Sequence, residues 1–101
     1  PYHPWEISLY YRIACGYYQQ KEYESAVRTI NQLFETAKSE GQPVTDYHVY
    51  DVLGNSHFAL AKYDKAAEAY QMALDTAPPN APIDKIRTYF EFAAQRVKQP
   101  L

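Results

Sequence analysis

Apolar residues recur along most of this chain at intervals of three and four, the spacing that places them on one face of an α-helix. From Trp5 to about Gln20 the stripe is Ile7, Leu9, Tyr10, Ile13, Ala14, Tyr17 and Tyr18. Gln19-Gln20-Lys21-Glu22 interrupts it with four polar residues. A second stripe, Tyr23 to about Ser39, carries Tyr23, Ala26, Val27, Ile30, Leu33, Phe34 and Ala37. A third runs to about Leu60, turns at Ala61-Lys62-Tyr63-Asp64, and a fourth ends near Thr76. The fifth reaches about Lys98 through Ile83, Ile86, Phe90, Ala93 or Ala94, and Val97, a period close to 3.6. No segment sustains the two-residue alternation of a strand. The pattern predicts an all-α chain of five helices.

Punctuation residues support these boundaries. Pro4 suits the first turn of a helix, where its missing N–H costs nothing. Gly41 suits a left-handed cap after the second helix, and Pro43 blocks continuation. Thr45 or Asp46 is expected to cap the third helix through a side-chain oxygen, Asp64 the fourth, and Asn80 the fifth, with Pro82 in its first turn.

Shifted by 40 residues, the chain matches itself. Ile13 falls on Leu53, Ala14 on Gly54, Tyr17 on His57, Tyr18 on Phe58, Tyr23 on Tyr63, Ala26 on Ala66, Ile30 on Tyr70 and Leu33 on Ala73. Size class is kept at all of these places but the last: small residues where two helices must approach, large ones where a wedge must be filled. The better-formed unit reads Tyr50-x2-Leu53-Gly54-x2-His57, then Ala66-x3-Tyr70, then Pro78. The earlier one reads Tyr10-x2-Ile13-Ala14-x2-Tyr17, then Ala26-x3-Ile30, with Lys38 at the proline's place.

These motifs resemble the tetratricopeptide repeat, a unit of about 34 residues patterned W-x2-L-G-x2-Y, A-x3-F, P. The resemblance implies antiparallel helix hairpins stacked as a short right-handed α-solenoid. It divides one domain, residues 1–101, into a first repeat at 7–40, a second at 47–80 and a capping helix at 81–98. The offset exceeds the family unit by about six residues, and the surplus falls at about 39–44, as a longer second helix or a longer loop. Arg87 and Thr88 stand where a third unit would need Leu and Gly, so the last helix reads as a lid. Arrays of this kind need about three repeats, so the chain is expected to be the C-terminal end of a longer protein.

Composition changes the picture only by exclusion. A hydrophobic content of 47% with 22% charged residues argues against disorder. A net charge of −2 gives no reason to expect nucleic acid or an anionic membrane surface as partner. No apolar run approaches the roughly 18 residues of a membrane-spanning helix. The single cysteine, Cys15, excludes an internal disulfide, leaves the compartment open, and reads as a structural thiol with only Arg12 nearby. His48 and His57 would lie on opposite faces of one helix, and with His3 they form no metal set. His57 instead takes the family tyrosine's place at a helix seam. Ser56-His57 lacks a third partner and no glycine-rich phosphate loop occurs, so no cofactor, metal or catalytic residue is expected.

The unusual count is tyrosine, 11 of 101 residues, a side chain suited to helix seams and to recognition surfaces alike. In the family the first helix of each pair lines a concave groove that binds extended or helical peptides. Carried onto this chain, the partner groove is expected at Tyr11, Arg12, Cys15 and Tyr18 in the first unit, with Ser8 and Gln19 beside them. The second unit supplies His48, Asp51, Asn55 and Phe58, with Val52 and Ala59. The last helix adds Lys85, Tyr89 and Phe92, with Ile86. Tyr18 and Phe58 fit packing between successive first helices equally well. The lysines and asparagines of the family's carboxylate-clamp subgroup are absent, for Tyr11, Cys15 and Val52 stand at their places. The expected function is a non-catalytic protein–protein interaction module that binds a peptide or partner helix. The alternative is a structural or oligomerisation domain that docks through Trp5, Leu9 and Tyr10 onto adjacent repeats or a second copy.

Overall fold

The computed structural model describes residues 4–98; His3 lies outside them. Five helices follow in order: α1 (Pro4–Gln19), α2 (Tyr23–Ser39), α3 (Tyr47–Ala59), α4 (Tyr63–Thr76) and α5 (Asp84–Lys98). No strand occurs among the described residues. The helices pack as α1 on α2, α3 on α4, α4 on α5, with α2 and α1 also against α3. This is two hairpins stacked through the second pair's first helix, with α5 laid on α4.

The two hairpin turns are built alike. At the end of α1, Glu22 N–H donates to Tyr17 O at 2.9 Å and Lys21 N–H to Tyr18 O at 3.0 Å. At the end of α3, Lys62 N–H donates to His57 O at 2.9 Å and Ala61 N–H to Phe58 O at 3.0 Å. Both are Schellman caps, which need a left-handed residue after the last turn. Lys21 and Ala61 take it without being glycine, at φ 64° and 60°. Each turn is closed by an edge-to-face aromatic pair, Tyr18–Tyr23 at 5.5 Å and Phe58–Tyr63 at 5.4 Å. Such pairs contribute about 0.5–1.5 kcal/mol beyond the area they bury, comparable to the roughly 1–2 kcal/mol that a left-handed non-glycine residue costs.

The insertion is divided between both alternatives. Helix α2 has 17 residues against 14 in α4, and the rest forms a loop. Gly41, at φ 65°, ends α2 as expected, with Gln42 N–H donating to Ala37 O at 2.9 Å. The loop is held from the far side: Tyr50 Oη donates to Val44 O at 3.1 Å, and the Tyr50 ring stacks on Phe34 at 5.5 Å. Asp46 caps α3, its side chain accepting from His48 N–H at 3.0 Å.

Two expected caps are not used. Lys62 O already accepts from Ala66 N–H, so α4 begins at Tyr63 and leaves Asp64 inside the first turn, where its charge complements the helix dipole. Asn80 sits in a turn closed by Ala81 N–H to Pro78 O at 3.0 Å, and α5 begins at Asp84, beyond Pro82. The delay places Ile83 against the core of the second unit.

Core packing repeats with compensating sizes. In the first unit Ala14, Ile30 and Leu33 are buried with Val49 of α3, which ties the two hairpins together. In the second, Ala66, Tyr70 and Ala73 are buried with Ile86 and Ala93 of α5. Ala14 faces the smaller Ile30; Gly54 faces the larger Tyr70. A Cβ on Gly54 would stand 2.7 Å from two carbons of the Tyr70 ring. His57 is buried at the seam, with Nδ1 unbonded; burial first, then Lys65 and Lys62, holds its pKa below the usual value.

Two mid-helix glycines are therefore expected to respond oppositely to alanine. Gly16 has nothing within 4 Å of its missing Cβ, so Gly16→Ala should gain about 1 kcal/mol of helix propensity. Gly54→Ala should lose up to about 2 kcal/mol net, because overpacking at about 1–3 kcal/mol outweighs the propensity gain of about 1 kcal/mol. Urea midpoints of the two variants, moving in opposite directions, check this.

Candidate functional site

The first helices α1 and α3, followed by α5, carry the residues expected to face a partner. The structure brings one subset together. Tyr18, Asn55, Phe58, Ala59, Lys85 and Tyr89 line a common cavity, joined by Tyr70 from α4. Its volume, about 260 Å³, falls below the roughly 300–1,000 Å³ of small-molecule pockets. It is a depression for a side chain.

Phe58 is the hub of this end. Its ring lies 5.2 Å from Tyr89, 5.4 Å from Tyr63, 5.5 Å from Phe92 and 6.4 Å from Tyr70, in edge-on or tilted geometries. Phe58 therefore joins α3, α4 and α5 while lining the cavity. Phe92 contacts this cluster outside the cavity lining, where Arg96 lies 4.9 Å over the Tyr63 ring. Tyr89 and Phe92 stay 40% and 48% exposed, so the cluster reaches the surface. Ile86 does not belong to the groove. It is buried against Ala66, Tyr70 and Ala73, about one turn before Tyr89.

Polar groups in the cavity are organised by Tyr70. Its fully buried ring brings the hydroxyl to Asn55, donating to Oδ1 at 2.6 Å. Asn55 Nδ2 donates in turn to Asp51 Oδ1 at 3.3 Å. Asn55 is thus an internal bridge with one N–H still to give, rather than a free amide. Sequence reading assigned Tyr70 to the fold alone. The signal for its second role was the hydroxyl at a place where the first unit has Ile30.

A second group lies apart. Tyr11 and Arg12, with Ile7 and Ser8, line a cavity of about 390 Å³ closed by the inserted loop, Gln42 to Asp46. No feature of the sequence marked the loop as part of this surface. Cys15 sits beside Tyr11. His48 is held by Asp46, Nδ1 to Oδ1 at 2.8 Å, rather than turned toward Asn55.

The phenols here are weak acids. Burial first raises the pKa of Tyr11, Tyr18 and Tyr70; Asp51 then adds to all three, Asp46 and Cys15 to Tyr11. They are neutral donors at physiological pH. Asp51 is half-buried, and burial raises its own pKa above 3.8, against lowering by His48, Asn55 and Lys85. Among the described residues no group of three His, Cys, Asp or Glu could hold a metal, and no helix is long and apolar enough to cross a membrane.

Stacked antiparallel helix pairs with a small-for-large code at each seam define a helical-repeat protein. The family model for the tetratricopeptide repeat matches residues 7–40 and 47–80, and the chain belongs to that family. No curated protein and no solved structure is a significant match to it. Repeats of this family are non-catalytic and mediate protein–protein interaction.

The raised pKa of Asp51 has a stability consequence. A carboxyl that binds its proton more tightly when folded contributes stability at low pH and loses it as pH rises through the folded value. Ionised Asp51 therefore costs the fold at pH 7. Asp51→Asn should raise the urea midpoint at pH 7, and the gain should vanish below about pH 4.

Proposed function

We propose that this chain is a peptide-binding module whose concave face, on α1, α3 and α5, holds an extended or helical segment of a partner protein. The observation that supports it most is the Tyr18–Asn55–Phe58–Tyr89 depression. Four helices contribute rings to it, and Tyr89 and Phe92 remain exposed where a core would have covered them. Aromatic side chains supply large contact area at low entropic cost and dominate binding hot spots. Tyr11 and Arg12 extend the same face toward the inserted loop. Binding, with no chemistry, is what neutral phenols, one amide and one carboxylate can do there.

The reading is tested by capture from lysate on the immobilised chain. Phe58→Ala would disturb the α3–α4–α5 junction and is uninformative. Tyr18→Ala and Tyr89→Ala should each lose partners that wild type and an outer-face control, Gln32→Ala, retain. Unchanged capture by both groove variants sinks the proposal.

A second reading has its own observation. On α1 Leu9 and Ile13 are 46% and 41% exposed, in line with exposed Trp5. The equivalent of Ile13 in the second unit, Leu53, packs against the first unit's core. Ile13 has no such hairpin before it among the described residues. Tyr10, expected on this docking face, packs inward instead. If the stripe pairs two copies, sedimentation at micromolar concentration gives a dimer that Leu9→Lys and Ile13→Lys dissolve. A wild-type monomer across that range counts against self-association.

A further inference from the structure

Asp51 stands near the middle of the α3 face, between the two cavities, and acts electrostatically on Tyr11 of one and on Tyr18 and Tyr70 of the other. Among the described residues its one hydrogen bond comes from Asn55 Nδ2, at 3.3 Å, near the weak end of the range. An ionised carboxylate offers about four lone-pair sites, so most of its capacity is unused. Among the described residues no cation lies within 4.0 Å of it: the ion pairs there are His48 with Asp46 and Arg87 with Asp84.

The nearby positive groups are each otherwise placed. His48 is bonded to Asp46, Arg12 lines the cavity under the inserted loop, and Lys85 is exposed at the rim of the aromatic depression. A half-buried carboxylate with no cation in contact is costly to hold, because the charges of His48 and Lys85 repay only part of its desolvation. Next to it, across Asn55, is the aromatic depression lined by Tyr18, Phe58 and Tyr89. Such a surface suits a long side chain that ends in a cation: its methylenes lie on the rings while the charged head pairs with the carboxylate.

Building on the groove reading above, we propose that the bound segment is basic, with a lysine or arginine that pairs with Asp51 and lays its stem along Tyr18 and Tyr89. The polarity is opposite to that of a groove built for a C-terminal carboxylate, whose basic and amide residues this chain replaces with Tyr11, Cys15 and Val52. Asp46 is taken up by His48, and Arg12 and Lys85 stand at the two cavities on either side, which leaves Asp51 as the place for the cation.

A random peptide library displayed on phage and selected against the whole chain tests this. Wild type should return peptides that share a lysine or arginine at one register. Replacing that residue by norleucine, or the protein's Asp51 by Asn, should each weaken binding at least about tenfold, as expected for a charge-assisted hydrogen bond. The Asp51→Asn chain keeps the Asn55 bond and should fold, which circular dichroism confirms. Peptides that depend on Tyr89 but share no basic residue, or that bind Asp51→Asn equally well, overturn this inference and leave the groove reading standing. Failure to select any Tyr89-dependent peptide overturns both.

Discussion

The approach of α3 to α4 at Gly54 is the constraint on which the second half of the molecule depends. With no Cβ at that point, the Tyr70 ring lies flat against the helix backbone and is completely buried. Burying a ring of this size contributes on the order of 1.5–3 kcal/mol, provided its hydroxyl finds a partner. Asn55, one residue after Gly54, supplies it at 2.6 Å. From that ring the rest follows: α5 packs on it through Ile86, Phe58 leans on its edge, and Tyr70 joins Tyr18, Asn55 and Tyr89 in lining the depression. One contact thus sets both the angle of the hairpin and the floor of the candidate site.

The first hairpin solves the same problem with Ala14 and Ile30, a pair that needs no polar partner. Its own surface chemistry therefore comes from elsewhere, from Tyr11 and from the inserted loop pinned by Tyr50. The two units share turn geometry down to individual hydrogen bonds, yet they differ on the face formed by their first helices. In the second unit a buried tyrosine leads to Asn55 and Asp51; in the first, the groove face is closed by a loop the family pattern does not include.

Much of the shared cavity was legible because helical spacing alone assigns residues to faces. Tyr18, Asn55, Phe58, Lys85 and Tyr89 share a cavity because residues at three- and four-residue spacing on adjacent first helices must converge. What sequence could not separate was exposure from packing on that face. Ile86 and Tyr89 are one turn apart, and only the position of Tyr70 decides that the first is buried and the second is not. Asn55 looked like a free amide because its bonds to Tyr70 and Asp51 cross between helices or depend on rotamers. Caps failed in the same way: Asp64 and Asn80 are good capping types, but competing backbone bonds at Lys62 and Ala81 occupied the places first.

The order of residues by itself determined five helices, their turns, the repeat register and the family, since all of these rest on local periodicity and on size at fixed spacing. Tertiary structure decided which of the conserved-size positions touch solvent, how the insertion is shared between α2 and its loop, and where charge is left unpaired. Those are properties of helices brought side by side. Whether a carboxylate such as Asp51 has a cation within reach depends on three helices at once, and no window along one of them contains that information.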